Sequence, residues 1–252
     1  MSPQRHAMDQ VVSEQSDRLY RIGLGFCGNH ADAQDLVQET LLRAYQKWEQ
    51  FEGRANPATW LYRIAGRVCL RMRRRRSGQP LHMESLEENP AFAEHTLVEL
   101  ASPETNHEAL QHMQEAVAAL PEEFRLPLVL KEIAGFSLEE TARILGLKPQ
   151  TVKTRVHRAR LRLRLQLGKK QPGRRAQPPT YSRQICLDLL KTKQDALDRG
   201  VPFPAQNGLL CERCRSVFAS LDVTQDLCHR LTQGPLPALL RRWIEQHQPA
   251  GK

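Results

Sequence analysis

The sequence predicts an all-α protein of two small helical domains joined by an acidic linker, followed by a small, helical, cysteine-rich C-terminal domain. Three observations carry this reading. Apolar residues recur at helical spacing almost throughout, with no convincing strand-like alternation. Across 252 residues the chain is 40% hydrophobic and only 6% aromatic, which suits several small cores better than one large one. Charge is segregated: residues 54–80 carry eight arginines and no acid, residues 81–120 carry eight glutamates and no Lys or Arg, and residues 141–175 carry twelve basic residues and no acid.

The first domain is expected over residues 10–80. Leu19, Ile22 and Phe26 form an i, i+3, i+7 stripe that ends at Gly28-Asn29. A second helix starts near Ala31 and turns Leu36, Val37, Leu41, Tyr45 and Trp48 to one side, with Asp32, Asp35, Gln38, Glu39 and Arg43 on the other. Phe51 to Pro57 is a loop of turn formers. A third helix runs from about Ala58 to Arg75 with Trp60, Leu61, Ile64, Ala65, Val68 and Met72 inward and its arginines outward. Residues 81–106 form the acidic linker, with Pro90 and Pro103 and no clear period. Residues 107–170 make the second domain, where Met113, Val117 and Leu120 restore the helical spacing. Residues 171–180 are a second linker, and residues 181–252 hold four of the six cysteines.

Within the second domain, Phe136 to Val152 reads as a helix-turn-helix. Ser137 is a candidate N-cap, Glu140 completes a capping box, Ala142 permits a close crossing and Gly146 supplies the turn. The helix after Pro149 buries Val152, Val156, Ala159 and Leu163. It presents Gln150, Lys153, Thr154, Arg155, His157, Arg158 and Arg160, side chains suited to phosphates and base edges. Two acid-free basic blocks separated by an acidic spacer point to two surfaces for a polyanion.

No apolar run approaches the roughly 18 residues a membrane-spanning helix needs, and residues 1–20 lack the order of a secretory signal. A cytoplasmic, bacterial setting is therefore expected, where six cysteines are not stable disulfides. No nucleophilic triad, paired catalytic carboxylates or phosphate-cradling glycine loop is present, so no enzymatic activity is expected.

Four motifs in order resemble the extracytoplasmic-function (ECF) sigma factors of the sigma-70 family. They are Asp32 to Tyr45; Phe51-Glu52-Gly53 with Thr59 to Ala65; Pro121 to Arg125; and Thr151 to Arg160. The resemblance covers roughly residues 15–168. It implies that the first domain is sigma region 2 and the second sigma region 4, with core RNA polymerase (its clamp and flap regions) and promoter DNA as partners. A separate anti-sigma factor is a further candidate partner. By the same resemblance Asp35, Gln38, Glu39 and Arg43 form the polymerase-binding face. The loop with Arg54 and Asn56, followed by Trp60, Tyr62, Arg63, Arg67, Arg71 and Arg74, serves the melted promoter element. Gln150, Lys153, Thr154, Arg155, His157 and Arg158 read the distal element. One departure stands out: where the family commonly carries Asn and Asp after this Trp, the chain has Arg67 and Arg71, so base preference at the melted element does not carry over.

In the tail, Cys186, Cys211, Cys214 and Cys228 have the spacing C-x24-C-x2-C-x13-C, with His229 directly after. Four thiolates suit tetrahedral zinc or another thiophilic ion such as copper or cadmium. The segment Cys186 to Cys214 is similar to the zinc-binding anti-sigma domain, whose histidine position is Asn207 here, so either Cys228 or His229 is expected as the substitute ligand or the site is a looser one with exchangeable metal. A sensing metal site, a static zinc, a thiol–disulfide switch and inert thiols all remain open. Cys27 and Cys69 read as core residues. Leu236, Leu239, Leu240, Trp243 and Ile244 outline a terminal amphipathic helix that either completes the tail's own core or docks on a sigma domain. The competing readings are a free-standing helix-turn-helix regulator, which leaves the acidic helix unused, and a thiol redox protein built on Cys211-Glu212-Arg213-Cys214.

Overall fold

The computed structural model describes residues 3–53, 56–77, 96–97, 107–168, 174–175, 180–204 and 210–231, together with Leu240, Arg242 and Ile244. Three helices come first: α1 (Pro3–Cys27), α2 (His30–Lys47) and α3 (Pro57–Ser77). Asn29 caps α2, its side chain accepting from the Asp32 N–H at 2.9 Å. A short 3-10 turn, Trp48–Gln50, leads α2 into the loop. The second group is α4 (His107–Ala118), α5 (Glu122–Leu128), α6 (Leu138–Leu145) and α7 (Pro149–Gly168). Pro127 inside α5 is followed by a π turn over Val129–Ile133, where the Ala134 N–H donates to the Val129 carbonyl at 2.8 Å. The extension contributes α8 (Arg183–Arg199) and α9 (Glu212–Arg230). Two-residue strands β1 (Thr96–Leu97) and β2 (Arg174–Arg175) pair antiparallel. The architecture is the all-helical one expected.

The three groups do not keep separate cores. Leu19, Phe26, Leu61, Val117, Leu128 and Leu163 belong to one continuous buried cluster, which Leu227 and Cys228 of α9, then Leu240 and Ile244, also join. Of the apolar stripe expected to form a terminal helix, Leu240 and Ile244 join this shared core, and Leu236, Leu239 and Trp243 lie outside the described residues. Each large apolar side chain buried this way contributes about 1.5–3 kcal/mol.

The seam between the first two groups is specific. Gly25 on α1 faces Val129, whose two methyls would stand 2.8 and 2.9 Å from a Cβ there. Arg18 donates to the Ala134 carbonyl, and its guanidinium lies 4.9 Å from the Phe136 ring centroid and 5.8 Å from that of Tyr62. Tyr62 and Phe136 meet edge-on at 5.0 Å.

Candidate nucleic-acid interface and its C-terminal cover

On α2, Asp35 is exposed, while Gln38, Glu39 and Arg43 are half-buried along one face. Glu39 pairs with Arg43 one turn on at 2.5 Å, and Arg71 of α3 approaches the same carboxylate oxygen at 3.9 Å. This face borders a cleft of about 440 Å³ whose floor is Val68 and Met72. Leu42, 43% exposed, also lines it. Sequence reasoning missed Leu42; its only signal was an apolar residue off the buried stripe, next to the inward Leu41.

A second cleft, about 470 Å³, opens between α2 and α3 and is lined by Lys47, Gln50, Trp60, Arg63, Arg67 and Arg71 with Arg43 at its edge. Trp60, Trp48 and Phe51 form a three-ring cluster with centroids 5.0–5.7 Å apart. Arg63 and Arg67 are exposed and Arg71 half-buried. Four of the expected DNA-binding residues thus share one cleft, and Lys47 and Gln50 extend it. Asn56 is exposed, its side-chain oxygen accepting from the Ala58 N–H at 2.8 Å as α3 begins. Arg54 and the side chain of Arg74 lie outside the described residues. Tyr62 requires correction: it is fully buried, its hydroxyl donating to Gln15 at 2.8 Å and its ring held by Phe136, so in this arrangement it cannot touch DNA.

The helix-turn-helix forms as its signals predict. Ser137 accepts from the Glu140 N–H at 3.1 Å while Glu140 accepts from the Ser137 N–H at 2.9 Å. Gly146 takes φ 69, a left-handed conformation that ends α6 cleanly. Val152, Val156, Ala159 and Leu163 of α7 are buried as expected. Arg160 is the exception. It is 1% exposed and ion-pairs with Glu132 at 2.5 Å and Asp198 at 2.8 Å, so it holds the interior together and does not face outward.

Only Gln150 among the expected DNA-reading residues is fully exposed; Lys153, Thr154, Arg155, His157 and Arg158 are half-buried. The extension covers two of them. Lys153 Nζ lies 2.8 Å from Asp195, and His157 Nε2 lies 2.8 Å from Asp198 and 4.0 Å from Asp195. Gln194 accepts from Arg160 at 3.0 Å and donates to the His157 carbonyl at 3.1 Å. Arg164 donates to Ser220 of α9 at 2.7 Å. Burial would raise the Asp198 carboxyl, but the His157 hydrogen bond and the Arg160 charge outweigh it and hold it low. Among the described residues, His157, Asp195 and Asp198 are the only group that brings three metal-type ligand atoms within 4.8 Å of one another. Lys153 and Arg160 already occupy those carboxylates, so the group is an ion-pair network.

The cysteines separate into two places. Cys211 is the N-cap of α9, and Cys214 follows on its first turn. Burial pushes the Cys211 thiol up, but the amides of Cys214 and Arg213 and the Cys214 thiol outweigh it and hold it below the ordinary range. Burial, joined by neighbouring Cys211 and Cys186, lifts Cys214 to about 12. Cys228 requires correction as a ligand. It follows Cys214 by fourteen residues on the same unbroken helix, which places it about 21 Å away along the axis. It is buried in the main core, and His229 is likewise displaced, interacting with Glu132 at 3.6 Å. Cys69 is a core residue as read, and Cys27 is half-buried against the core.

Sigma-70 region 2 matches residues 11–79, and Sigma-70 region 4 matches residues 110–163. SigW, an ECF RNA polymerase sigma factor of Bacillus subtilis, is 32% identical over 166 residues, covering 64% of this chain and 89% of SigW. The chain belongs to the ECF sigma factor family. SigE of Mycolicibacterium smegmatis is 37% identical over 171 residues; that match covers 64% of this chain and 62% of SigE, under two thirds of its length. RpoE from Bartonella quintana, solved in complex with the anti-sigma factor NepR, aligns over 64% of this chain and 97% of its own at 28% identity, with a TM-score of 0.48. In this ECF sigma factor, α2 and α3 lie in region 2, and α4 to α7 in region 4, whose match ends at residue 163. Helices α8 and α9 lie beyond both matched regions. No helix among the described residues is long and apolar enough to cross a membrane.

Proposed function

We propose that this ECF sigma factor binds core RNA polymerase through the α2 face and directs it to promoters, with the chemistry of RNA synthesis left to the polymerase. The observation that carries this is the adjacency of two surfaces on α2 and α3: the polar face around Asp35, Gln38, Glu39, Leu42 and Arg43, and the arginine-lined cleft holding Trp60. An exposed apolar residue ringed by polar ones suits a protein partner. Guanidinium groups around an aromatic cluster suit a melted strand, because bases stack on rings while arginines hold phosphates. Helix α7 supplies Gln150, Lys153, Thr154, Arg155, His157 and Arg158 for the distal promoter element. A free-standing repressor would leave the α2 face without a role. Run-off transcription with core polymerase tests the reading: start-site selection is expected from the pure chain, and its absence in every buffer, metal and reductant would refute it.

The extension is proposed to regulate this activity through its thiols. Cys186, Cys211 and Cys214 are proposed as the ligands: Cys211 and Cys214 share the start of α9 and Cys186 neighbours Cys214, and an ion would draw together three thiols that do not all lie within 4.8 Å of one another. A thiophilic ion bound there would tie α8 to α9. The position matching the anti-sigma histidine, Asn207, lies outside the described residues. Titration with cadmium or copper, followed by charge-transfer absorption, is expected to show uptake that Cys214→Ser abolishes and Cys228→Ser leaves intact. No uptake by the wild-type chain would refute the metal reading.

A further inference from the structure

We infer that the C-terminal extension is an internal competitor for DNA, with Asp195 and Asp198 standing on α7 where promoter phosphates would bind. This rests on the proposed promoter-reading role of α7 and adds its regulation. Residues 141–175 contain twelve cations and no acid, so α7 cannot neutralise itself. Glu132 of the π turn pairs with the buried Arg160 of α7, while Lys153 and His157 meet carboxylates of α8, more than thirty residues further along the chain. Lys153 and His157, one turn apart on α7, meet Asp195 and Asp198, one turn apart on α8. Lys153 and His157 are both among the residues read from the sequence as DNA contacts, and a carboxylate on each must leave before a phosphate can take its place.

The cover is built as a unit. Lys193 of α8 ion-pairs with Asp222 of α9 at 2.5 Å, and its ammonium lies 5.9 Å from the Phe203 ring centroid. Leu197 and Leu221 share a small buried cluster with Leu161 of α7, so the hairpin grips the reading helix by an apolar contact as well as by charge. Arg160 and Arg164, both buried, anchor the hairpin from below through Asp198 and Ser220. The α2 face is not covered in this way: Asp35 and Leu42 are exposed. The arrangement therefore blocks distal-element reading while leaving the polymerase-facing surface open, so that the chain can dock on polymerase before it reads DNA.

The test uses the full chain with core polymerase and a promoter duplex, read by fluorescence anisotropy across a salt series. Asp195→Asn removes the partner of Lys153 at a partly exposed site, so the fold should survive. It is expected to tighten promoter binding about two- to fivefold at low salt. It should also steepen the salt dependence by about one unit as Lys153 becomes free for phosphate. Asp195→Lys should tighten binding further by repelling Lys153. Asp188→Asn, a same-charge change on an exposed part of α8, should change nothing beyond a general charge effect. Equal affinities for Asp195→Asn, Asp188→Asn and wild type would overturn the inference. Failure of the wild-type chain to select any promoter would instead overturn the sigma-factor reading.

Discussion

Arg160 and Glu132, each with a side chain 1% exposed, meet at 2.5 Å where the helix-turn-helix joins the C-terminal extension. Glu132 also takes Gln225 at 3.0 Å and faces His229 at 3.6 Å, both from α9. Burial alone would raise its carboxyl; hydrogen bonds from His229, Gln225 and Arg160 and the Arg160 charge bring it down to about 2. One buried carboxylate thus joins α7, α9 and the π turn. Glu132→Gln removes the charge while keeping the shape and leaves Arg160 with Asp198 as its one carboxylate partner among the described residues. The expected loss is roughly 3 kcal/mol, seen as a lower urea midpoint.

His229 and Glu132 set a pH dependence. The hydrogen bond to Glu132 raises His229 above its ordinary 6.5, against burial. Its contribution is complete below 6.5 and is lost as pH rises through the raised value. Glu132, depressed from 4.5, contributes above that value and loses its contribution as pH falls toward 2. The grip of α9 should therefore be firmest between these limits. The thermal midpoint should fall as pH rises above 6.5 through the raised His229 value, and His229→Gln should flatten that fall.

Gly25 sits where α1 passes Val129 too closely for any Cβ. Gly25→Ala must push the first helical group away from the second, at a cost of about 1–3 kcal/mol. Chemical denaturation measures the loss. If the seam opens without global unfolding, Tyr62 becomes accessible and tyrosine fluorescence quenching by iodide increases.

Thiol reactivity should follow environment. Cys211, held low at the start of α9, is expected to alkylate first near neutral pH. Cys214, raised to about 12, and the fully buried Cys228 should follow only on unfolding. Peptide mass spectrometry after timed iodoacetamide exposure reads the order, and prior metal loading should protect Cys211.

Arg67→Ala removes an exposed cation from the Trp60 cleft without touching the core. Promoter binding should weaken similarly for different sequences, with the salt slope falling by about 1. A change confined to particular promoter bases would instead assign Arg67 to base reading.

Local signals were legible in the chain itself. The capping box at Ser137 and Glu140, the turn at Gly146 and the buried face of α7 all formed as read, because caps, turns and amphipathic faces depend on residues a few positions apart. Arg160 and Tyr62 were misplaced for a shared reason. Helical spacing assigns a face relative to one helix, and both faces are covered by segments distant in sequence: Glu132 and Asp198 for the arginine, Phe136 for the tyrosine. The Cys228 error had a different source. Spacing was counted along the chain, whereas an unbroken α9 stretches fourteen residues into a rod that no single ion can bridge.

The amino-acid order alone determined the helical class, the order of the regions and the two arginine-rich faces, since each rests on short-range periodicity and composition, while the family rested on the resemblance of four motifs in order. Only the tertiary structure decided that the three groups share one core, that Leu42 lies open on the α2 face, and that Asp195 and Asp198 rest on Lys153 and His157. Those outcomes depend on which surfaces find each other across tens of residues, and a pairing between distant charges leaves no period in the sequence to read.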